Sequence, residues 1–235
     1  MSKLQLVLWD IDHTLIETGG VGREVFGAAF QAATGIPMRD MVHASGHTEP
    51  QLFSETLEMH GIEEQPHHFE TFARVQAEEY HRHAGALRSR GRVLPGAASA
   101  LRQLAEHPTI VQSVLTGNTR AAAIAKLQAF GIADALDLDI GAYGDDNTDR
   151  AELVRIAQDR AASKHNVEFD RESTVLVGDT VRDVAAGHDG GARVIAVTSG
   201  STSADELREA NPEIVVPDLS DVVDTLVKDH DIRQS

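Results

Sequence analysis

The chain has 235 residues, 41% of them hydrophobic and 25% charged, enough for one sizeable core or for a core with a smaller inserted domain. It contains no cysteine, which excludes disulfides, thiolate catalysis and cysteine-ligated zinc. A formal net charge of −16 opposes binding to nucleic-acid backbones, no stretch approaches the apolar length of a membrane span, and Met1-Ser2-Lys3-Leu4 opens no signal peptide, so the expectation is a cytoplasmic protein with neither a nucleic-acid nor a membrane partner.

Leu4 to Trp9 reads as a strand buried on both faces, as in a parallel sheet. It ends abruptly in Asp10-Ile11-Asp12-His13-Thr14. Open parallel sheets bind ligands beyond the carboxyl ends of their strands, and two half-buried carboxylates there are costly without a cation. The pair suggests metal or proton chemistry; an ordinary solvated turn is the other reading while the motif stands alone. A glycine-rich turn (Gly19-Gly20-Val21-Gly22) follows, then helices over about 23–34, from about Thr48 and over about 66–87. Thr48-Glu49-Pro50-Gln51 fits a capping box with proline in the first turn. From Gly19 to Arg92 there is no strand signal, which predicts an all-helical insertion.

From Val93 onward strand and helix alternate. Strands are expected at 109–115, 136–140, 173–177, 193–197 and 213–216, with helices from Pro95-Gly96, at 119–130, 149–165 and 181–189, and capped by Ser203 and Ser220. This pattern predicts an α/β fold, a doubly wound parallel sheet, Rossmann-like, with residues 1–18 and 93–235 as the core and 19–92 as an inserted helical cap domain. Two further strands end as the first does: Val114-Leu115 gives Thr116-Gly117-Asn118, and Val175-Leu176-Val177 gives Gly178-Asp179, with Asp183 one helical turn on. Three converging polar ends are hard to attribute to turn chemistry.

These motifs, in this order on these strands, resemble the first, second and fourth motifs of the haloacid dehalogenase-like hydrolase superfamily. The resemblance extends over nearly the whole chain and includes the helical cap of the phosphoglycolate phosphatase-like branch, where Gly46-His47-Thr48-Glu49 is similar to a Gly-basic-Thr-acidic stretch. It implies Asp10 as a nucleophile that forms an aspartyl phosphate, and Asp12 as general acid and base. It assigns Mg²⁺ to Asp10, the backbone carbonyl of Asp12 and Asp179, with Asp183 as a further ligand or an anchor for metal-bound waters. Thr116 and the amides of Gly117 and Asn118 are expected to hold phosphoryl oxygens, and Thr14, counted with the substrate-binding residues, to support the loop.

Two departures stand out. His13 occupies a position usually held by glycine, and the usual third-motif lysine is missing, since no lysine lies between Lys126 and Lys164. Arg150 is the best substitute, an arginine being able to neutralise phosphate bidentately. Seven of the twelve histidines fall in the cap, but His81 and His83 point to different helix faces, against a zinc site. Among the cap residues Arg23 and His47 are candidates for substrate contact, each equally compatible with surface exposure.

The implied activity is a Mg²⁺-dependent phosphatase of small, phosphoglycolate-like phosphomonoesters. A phosphosugar mutase is the main alternative. Asp12 argues against a haloacid dehalogenase, and the absence of lysine between Lys3 and Lys126 argues against Schiff-base phosphonate hydrolysis. A phospho-receiver module would be about half this length and lack the helical insertion. The expected partner is a small phosphorylated metabolite; a monomer and a small homo-oligomer are both open.

Overall fold

The computed structural model describes residues 4–234. The elements in chain order are β1 (Gln5–Trp9), β2 (Ile16–Glu17), α1 (Val21–Thr34), α2 (Glu49–Met59), α3 (His68–Arg82), α4 (Ala84–Arg90), β3 (Arg92–Val93), α5 (Ala97–Ala105), β4 (Ile110–Val114), α6 (Arg120–Ala129), α7 (Arg150–His165), β5 (Thr174–Gly178), α8 (Val181–Gly190), β6 (Arg193–Val197), α9 (Ala204–Glu209), β7 (Ile214–Val216) and α10 (Ser220–Gln234). Five strands form a parallel sheet in the order β4-β1-β5-β6-β7.

The alternation within β1 explains why it is apolar throughout. Val7 and Trp9, with Val175 and Val177 of β5, pack on one face against α5, α6 and α10; Leu6, Leu8 and Leu176 pack on the other against α7. Trp9 is fully buried and donates its indole N–H to Gln112 Oε1 at 3.1 Å, so the polar end of the largest core side chain is satisfied.

The four helices α1–α4 lie between β2 and β3, which pair antiparallel (Ile16 with Val93, Glu17 with Arg92) and carry the chain out of the sheet and back. Arg92 is therefore in a strand and not at the end of the helical stretch, and its side chain pairs with Glu17 at 2.8 Å. The insertion has its own apolar cluster around Phe26, Phe30, Phe53 and Phe72. A second cluster joins it to the core: Val21, Val25, Tyr80 and Leu87 pack on Ala122, Ala125 and Ala129 of α6. No described helix is long and apolar enough to cross a membrane.

Three sequence expectations change. The single helix over 66–87 breaks at His83, whose φ of −92° and ψ of 11° leave the helical region and start α4 on a new axis. The strand expected at 136–140 is absent; that segment is a turn, followed by the isolated bridge Leu115–Ala142, and Ser113 Oγ and the Gln112 carbonyl take hydrogen bonds with Asp137 backbone instead. Ser220 is the first residue of α10, and the cap bond comes from Asp218, whose Oδ1 accepts the Ser220 amide at 2.7 Å.

Candidate active site

The sheet register assembles the site. Trp9 is paired with Val114 on one side and Val177 on the other, so the residues just beyond, Asp10, Thr116 and Asp179, leave three adjacent strands at the same level. Asp183 joins them from the first turn of α8, where it completes a capping box with Thr180. Oxygens of Asp10, Asp179 and Asp183 lie within 4.8 Å of one another, and all three residues are buried. Among the described residues this is the one cluster with metal-binding geometry; the cap histidines form none.

Arg150, the first residue of α7, reaches this trio. Its guanidinium bonds Asp183 and lies 3.6 Å from Asp10, and the N-cap of its helix is Asp149. Arg150 is thus brought to Asp10, with its Nε buried and without a partner. One cation does not balance three carboxylates. Burial pushes the Asp10 carboxyl well above the usual range, and Asp183 beside it adds to this against the opposing pull of Arg150. Asp179 is pushed up to about 7, again by burial first and Asp183 second.

This electrostatic deficit, carried entirely by oxygen donors, fits a small hard cation. A Cβ at Gly200 would stand 1.8 Å from Asp179 Oδ2, so the 200 loop closes directly over that carboxylate. Asp183 has little left to offer a metal: Oδ1 takes Arg150, and Oδ2 takes the amide of Thr180 at 3.1 Å and its hydroxyl at 2.6 Å. Of its two expected roles, the anchor agrees better with these bonds.

Thr14 is fully buried, and its hydroxyl lies 3.1 Å from Asp179 Oδ1 and 3.5 Å from Asp10 Oδ2. It holds the two carboxylates and does not line the pocket, which corrects its placing among substrate-binding residues. His13 has a φ of 64°, the left-handed region that glycine enters without cost, which accounts for glycine being the usual residue there. Its carbonyl is tied down by Ser199 Oγ at 2.6 Å.

Asp12 lines the same pocket as the trio but has hydrogen-bond partners of its own. Its Oδ2 accepts Asn118 Nδ2 at 2.8 Å and Lys126 Nζ at 2.7 Å. Burial acts to raise its pKa, but the Lys126 charge and these hydrogen bonds outweigh it and hold the carboxyl below the usual range. Asn118 links everything nearby: its Nδ2 also reaches Thr116 Oγ1 at 2.7 Å and its Oδ1 accepts Lys126 at 2.6 Å. The Asn118 amide, expected to face a phosphoryl oxygen, donates to Thr116 Oγ1 at 3.2 Å. Thr116 is left with its own O–H to give away. Gly117 is pressed by the insertion: a Cβ there would stand 2.1 Å from the His47 carbonyl, and its own carbonyl accepts the Glu49 amide at 2.7 Å.

Lys126, Glu49 and Tyr80 are the residues that sequence reasoning missed. Lys126 is buried on α6, 4.9 Å from the centroid of the Tyr80 ring. Glu49 is 8% exposed, and burial lifts its carboxyl to about 7. The signal for Lys126 was its isolation: it is a lone lysine on the apolar stripe of α6, next to Ala122, Ala123 and Leu127. His47 and Arg23 do line the pocket, but His47 Nε2 faces Glu55 at 3.5 Å and Arg23 pairs with Asp40 at 2.9 Å on an exposed surface. The pocket as a whole has a volume of about 770 Å³ between the strand ends and the insertion.

Comparison with known proteins agrees with this geometry. A family model described as HAD-hydrolase-like matches residues 152–222. The "Probable phosphatase IndB" of Dickeya dadantii (strain 3937) is 27% identical over 221 residues, covering 93% of this chain and 91% of that protein. A hydrolase from Pseudomonas syringae superposes with a TM-score of 0.68 at 19% identity, over 95% of this chain and 98% of that one. A "predicted phosphatase" from Clostridium acetobutylicum superposes with a TM-score of 0.67 at 19% identity, over 97% and 100%. The three motifs stand on adjacent strand ends with a helical insertion over them, an arrangement in keeping with this likeness to HAD-hydrolase-like proteins and to a probable phosphatase.

Proposed function

We propose that the protein is a Mg²⁺-dependent phosphatase of small phosphomonoesters that works through an aspartyl phosphate on Asp10. The observation that carries this reading is the division of labour between two aspartates only two residues apart. Asp10 sits in the carboxylate trio with Arg150, whereas Asp12 is held outside it by Lys126 and Asn118, with Oδ1 free of any hydrogen bond among the described residues.

Asp10 Oδ attacks phosphorus and the bond from phosphorus to the ester oxygen breaks. The departing oxygen takes the proton of the monoanionic ester by way of Asp12, whose carboxyl Lys126 keeps ionised at rest, and Asp12 then takes a proton from the water that attacks the acyl phosphate and releases Asp10. Arg150 and the Thr116 hydroxyl stabilise the phosphoryl oxygens as charge builds on them. Mg²⁺ held by Asp10, Asp179 and the Asp12 carbonyl would supply the charge that lets an anionic nucleophile approach an anionic ester. A chain of net charge −16 needs that help. The expected setting is cytoplasmic, with a small phosphorylated metabolite as partner and a monomer or small homo-oligomer as the working form. Phosphoglycolate-like esters are the first substrates to try, although a pocket of about 770 Å³ accepts larger leaving groups.

The test is phosphate release across phosphoglycolate, sugar phosphates, nucleotides and pyrophosphate, with Mg²⁺ and after EDTA. Release that needs Mg²⁺ and disappears in Asp10→Asn supports the reading. Isomerisation without release indicates a mutase, metal-independent halide release a dehalogenase, and a phosphoryl group that persists on Asp10 a receiver. No release from any ester overturns it.

A further inference from the structure

We propose that the leaving group of the substrate is an uncharged alcohol with an apolar face, larger than glycolate, which the insertion seats against Phe26, Met41, Val42 and Leu52. The inference rests on the phosphatase reading and names the substrate class of that same site, with phosphoglycolate as the reference ester.

Every lysine and arginine that lines the pocket already has a carboxylate of its own. Arg150 serves Asp183 and Asp10, and Lys126 donates to Asp12 at 2.7 Å. Arg23, on the insertion, pairs with Asp40 at 2.9 Å, and the same Asp40 oxygen is fixed by the Met41 amide at 2.9 Å. On the side of the leaving group the remaining charged side chains are acidic: Glu17, which pairs with Arg92 at 2.8 Å, and Glu49. A carboxylate or second phosphate on the leaving group would lose its hydration there and meet no unclaimed lysine or arginine. The field of a chain of net charge −16 adds to that cost. His13, His43 and His47 also line the pocket and bring positive charge only when protonated.

What the insertion offers instead is apolar surface. Phe26 of α1 and Leu52 of α2 belong to its core cluster and also line the pocket, and Met41 and Val42, from the connection between those helices, pack on the same cluster. The wall is held in place from behind: Phe26 meets Phe72 edge-on with ring centroids 4.7 Å apart, and the Arg39 amide, two residues before Met41, donates to His60 Nε2 at 2.9 Å. A volume of about 770 Å³ leaves room for a ring-sized group beyond the phosphoryl site. Burying one ring side of such a group against this wall is worth about 30-fold in binding. The two walls thus divide the ester, the core taking the charged phosphoryl end and the insertion the neutral remainder.

The experiment compares phosphate release from four alkyl esters at pH 8 in saturating Mg²⁺: phosphoglycolate, glycerol phosphate, benzyl phosphate and 4-carboxybenzyl phosphate. The last two share their size and their benzylic leaving oxygen and differ by one carboxylate. We expect kcat/KM for benzyl phosphate to exceed that for phosphoglycolate at least about 30-fold, and those for glycerol phosphate and 4-carboxybenzyl phosphate at least about tenfold each. Ala44 is exposed on the loop that lines the pocket, so Ala44→Arg adds an unclaimed cation without loss of packing. It should narrow the ratio of benzyl to 4-carboxybenzyl phosphate to below about threefold, whereas the uncharged Ala44→Gln should keep the wild-type ratio. Wild-type turnover of 4-carboxybenzyl phosphate or phosphoglycolate equal to that of benzyl phosphate would overturn the proposal. So would glycerol phosphate matching benzyl phosphate, or a ratio that Ala44→Arg leaves unmoved. If the variants do not fold, the wild-type series decides alone. Release from none of the four esters also overturns the inference; only if nucleotides, sugar phosphates and pyrophosphate are inert as well does the phosphatase reading fall with it.

Discussion

The two walls of the pocket hold their polar groups by opposite means. On the core wall the backbone places the charges: three strands in register deliver Asp10, Thr116 and Asp179, and Thr14, Arg150 and Thr180 satisfy the carboxylates within the same scaffold. On the insertion wall the polar groups ride on packed helices and are left short of partners. Gln76 is fully buried with both amide atoms unpaired, and Glu49 Oε2 and His47 Nδ1 are likewise unpaired. The Glu49 carboxylate is offset first by Lys126, which comes from the core, and then by Gln76 of the insertion. The core carboxylates are thus hydrogen-bonded within one scaffold, though short of positive charge, whereas Glu49 of the insertion meets its counter-charge across the pocket.

If that contrast is right, damage to the core wall should be severe and largely independent of the insertion. Asp10→Asn should lower kcat by at least about 10⁴-fold, as removal of a covalent nucleophile does. It should also raise the melting temperature of the metal-free protein, because it deletes a carboxylate that burial and Asp183 disfavour in its ionised form. Steady-state kinetics and thermal melts in EDTA check both halves; a variant that loses activity and is also less stable without metal would contradict the charge imbalance of the trio.

Arg150→Ala comes next. It should lower kcat/KM by about 10²- to 10³-fold and destabilise the fold by about 3 kcal/mol, since it strands Asp10 and Asp183 without their cation. Arg150→Lys should recover part of the stability but less of the activity, because the two-pronged contact is lost. Thr14→Val should be milder still. It removes the hydroxyl between Asp10 and Asp179, and the expected effect is a weakening of Mg²⁺ affinity by about tenfold, read by metal titration of the melting temperature.

The same contrast explains what the sequence disclosed. A strand end announces itself locally: an apolar run switches to Asp10, Thr116 or Asp179, and parallel pairing brings the three together without any further information. Arg150 was reachable by elimination, as the basic residue of its segment that stands at a helix start. Lys126 was not, although the four lysines were counted. Eight residues separate it from Asn118, and only the two turns of α6 between them turn its side chain back to Asp12. Tyr80 and Glu49 lay further out of reach, because what they face depends on how four helices pack over a sheet to which they are joined by two short strands. The expected strand at 136–140 failed for the reverse reason: as a turn it sends Leu136 and Leu138 to the cluster of α5 and α6 and Ile140 to that of α7, with a pattern too short to distinguish turn from strand.

The smallest effect separates the walls most cleanly. Burial pushes Asp179 on the core and Glu49 on the insertion each up to about 7 in the folded, metal-free protein, above the ordinary carboxylate range. A folded-state value raised in this way gives stability that is fully present below the unfolded value and is lost as pH rises through about 7. In EDTA the melting temperature should therefore fall from about pH 5 to pH 7 and level off above that, with both residues contributing. On the proposed reading Mg²⁺ is held by the ionised trio and should abolish the Asp179 share, but it has no claim on Glu49. The slope that survives in saturating Mg²⁺ is then the signature of the insertion wall. Glu49→Gln should flatten it, making the variant a few degrees more stable than the wild type at pH 8 and no more stable at pH 5, with kcat changed less than about tenfold. Melting curves at five pH values, with Mg²⁺ and with EDTA, resolve the two shares. A wild-type slope that vanishes entirely in Mg²⁺ would mean that Lys126 already balances Glu49, and that the two walls are less different than their hydrogen bonds indicate.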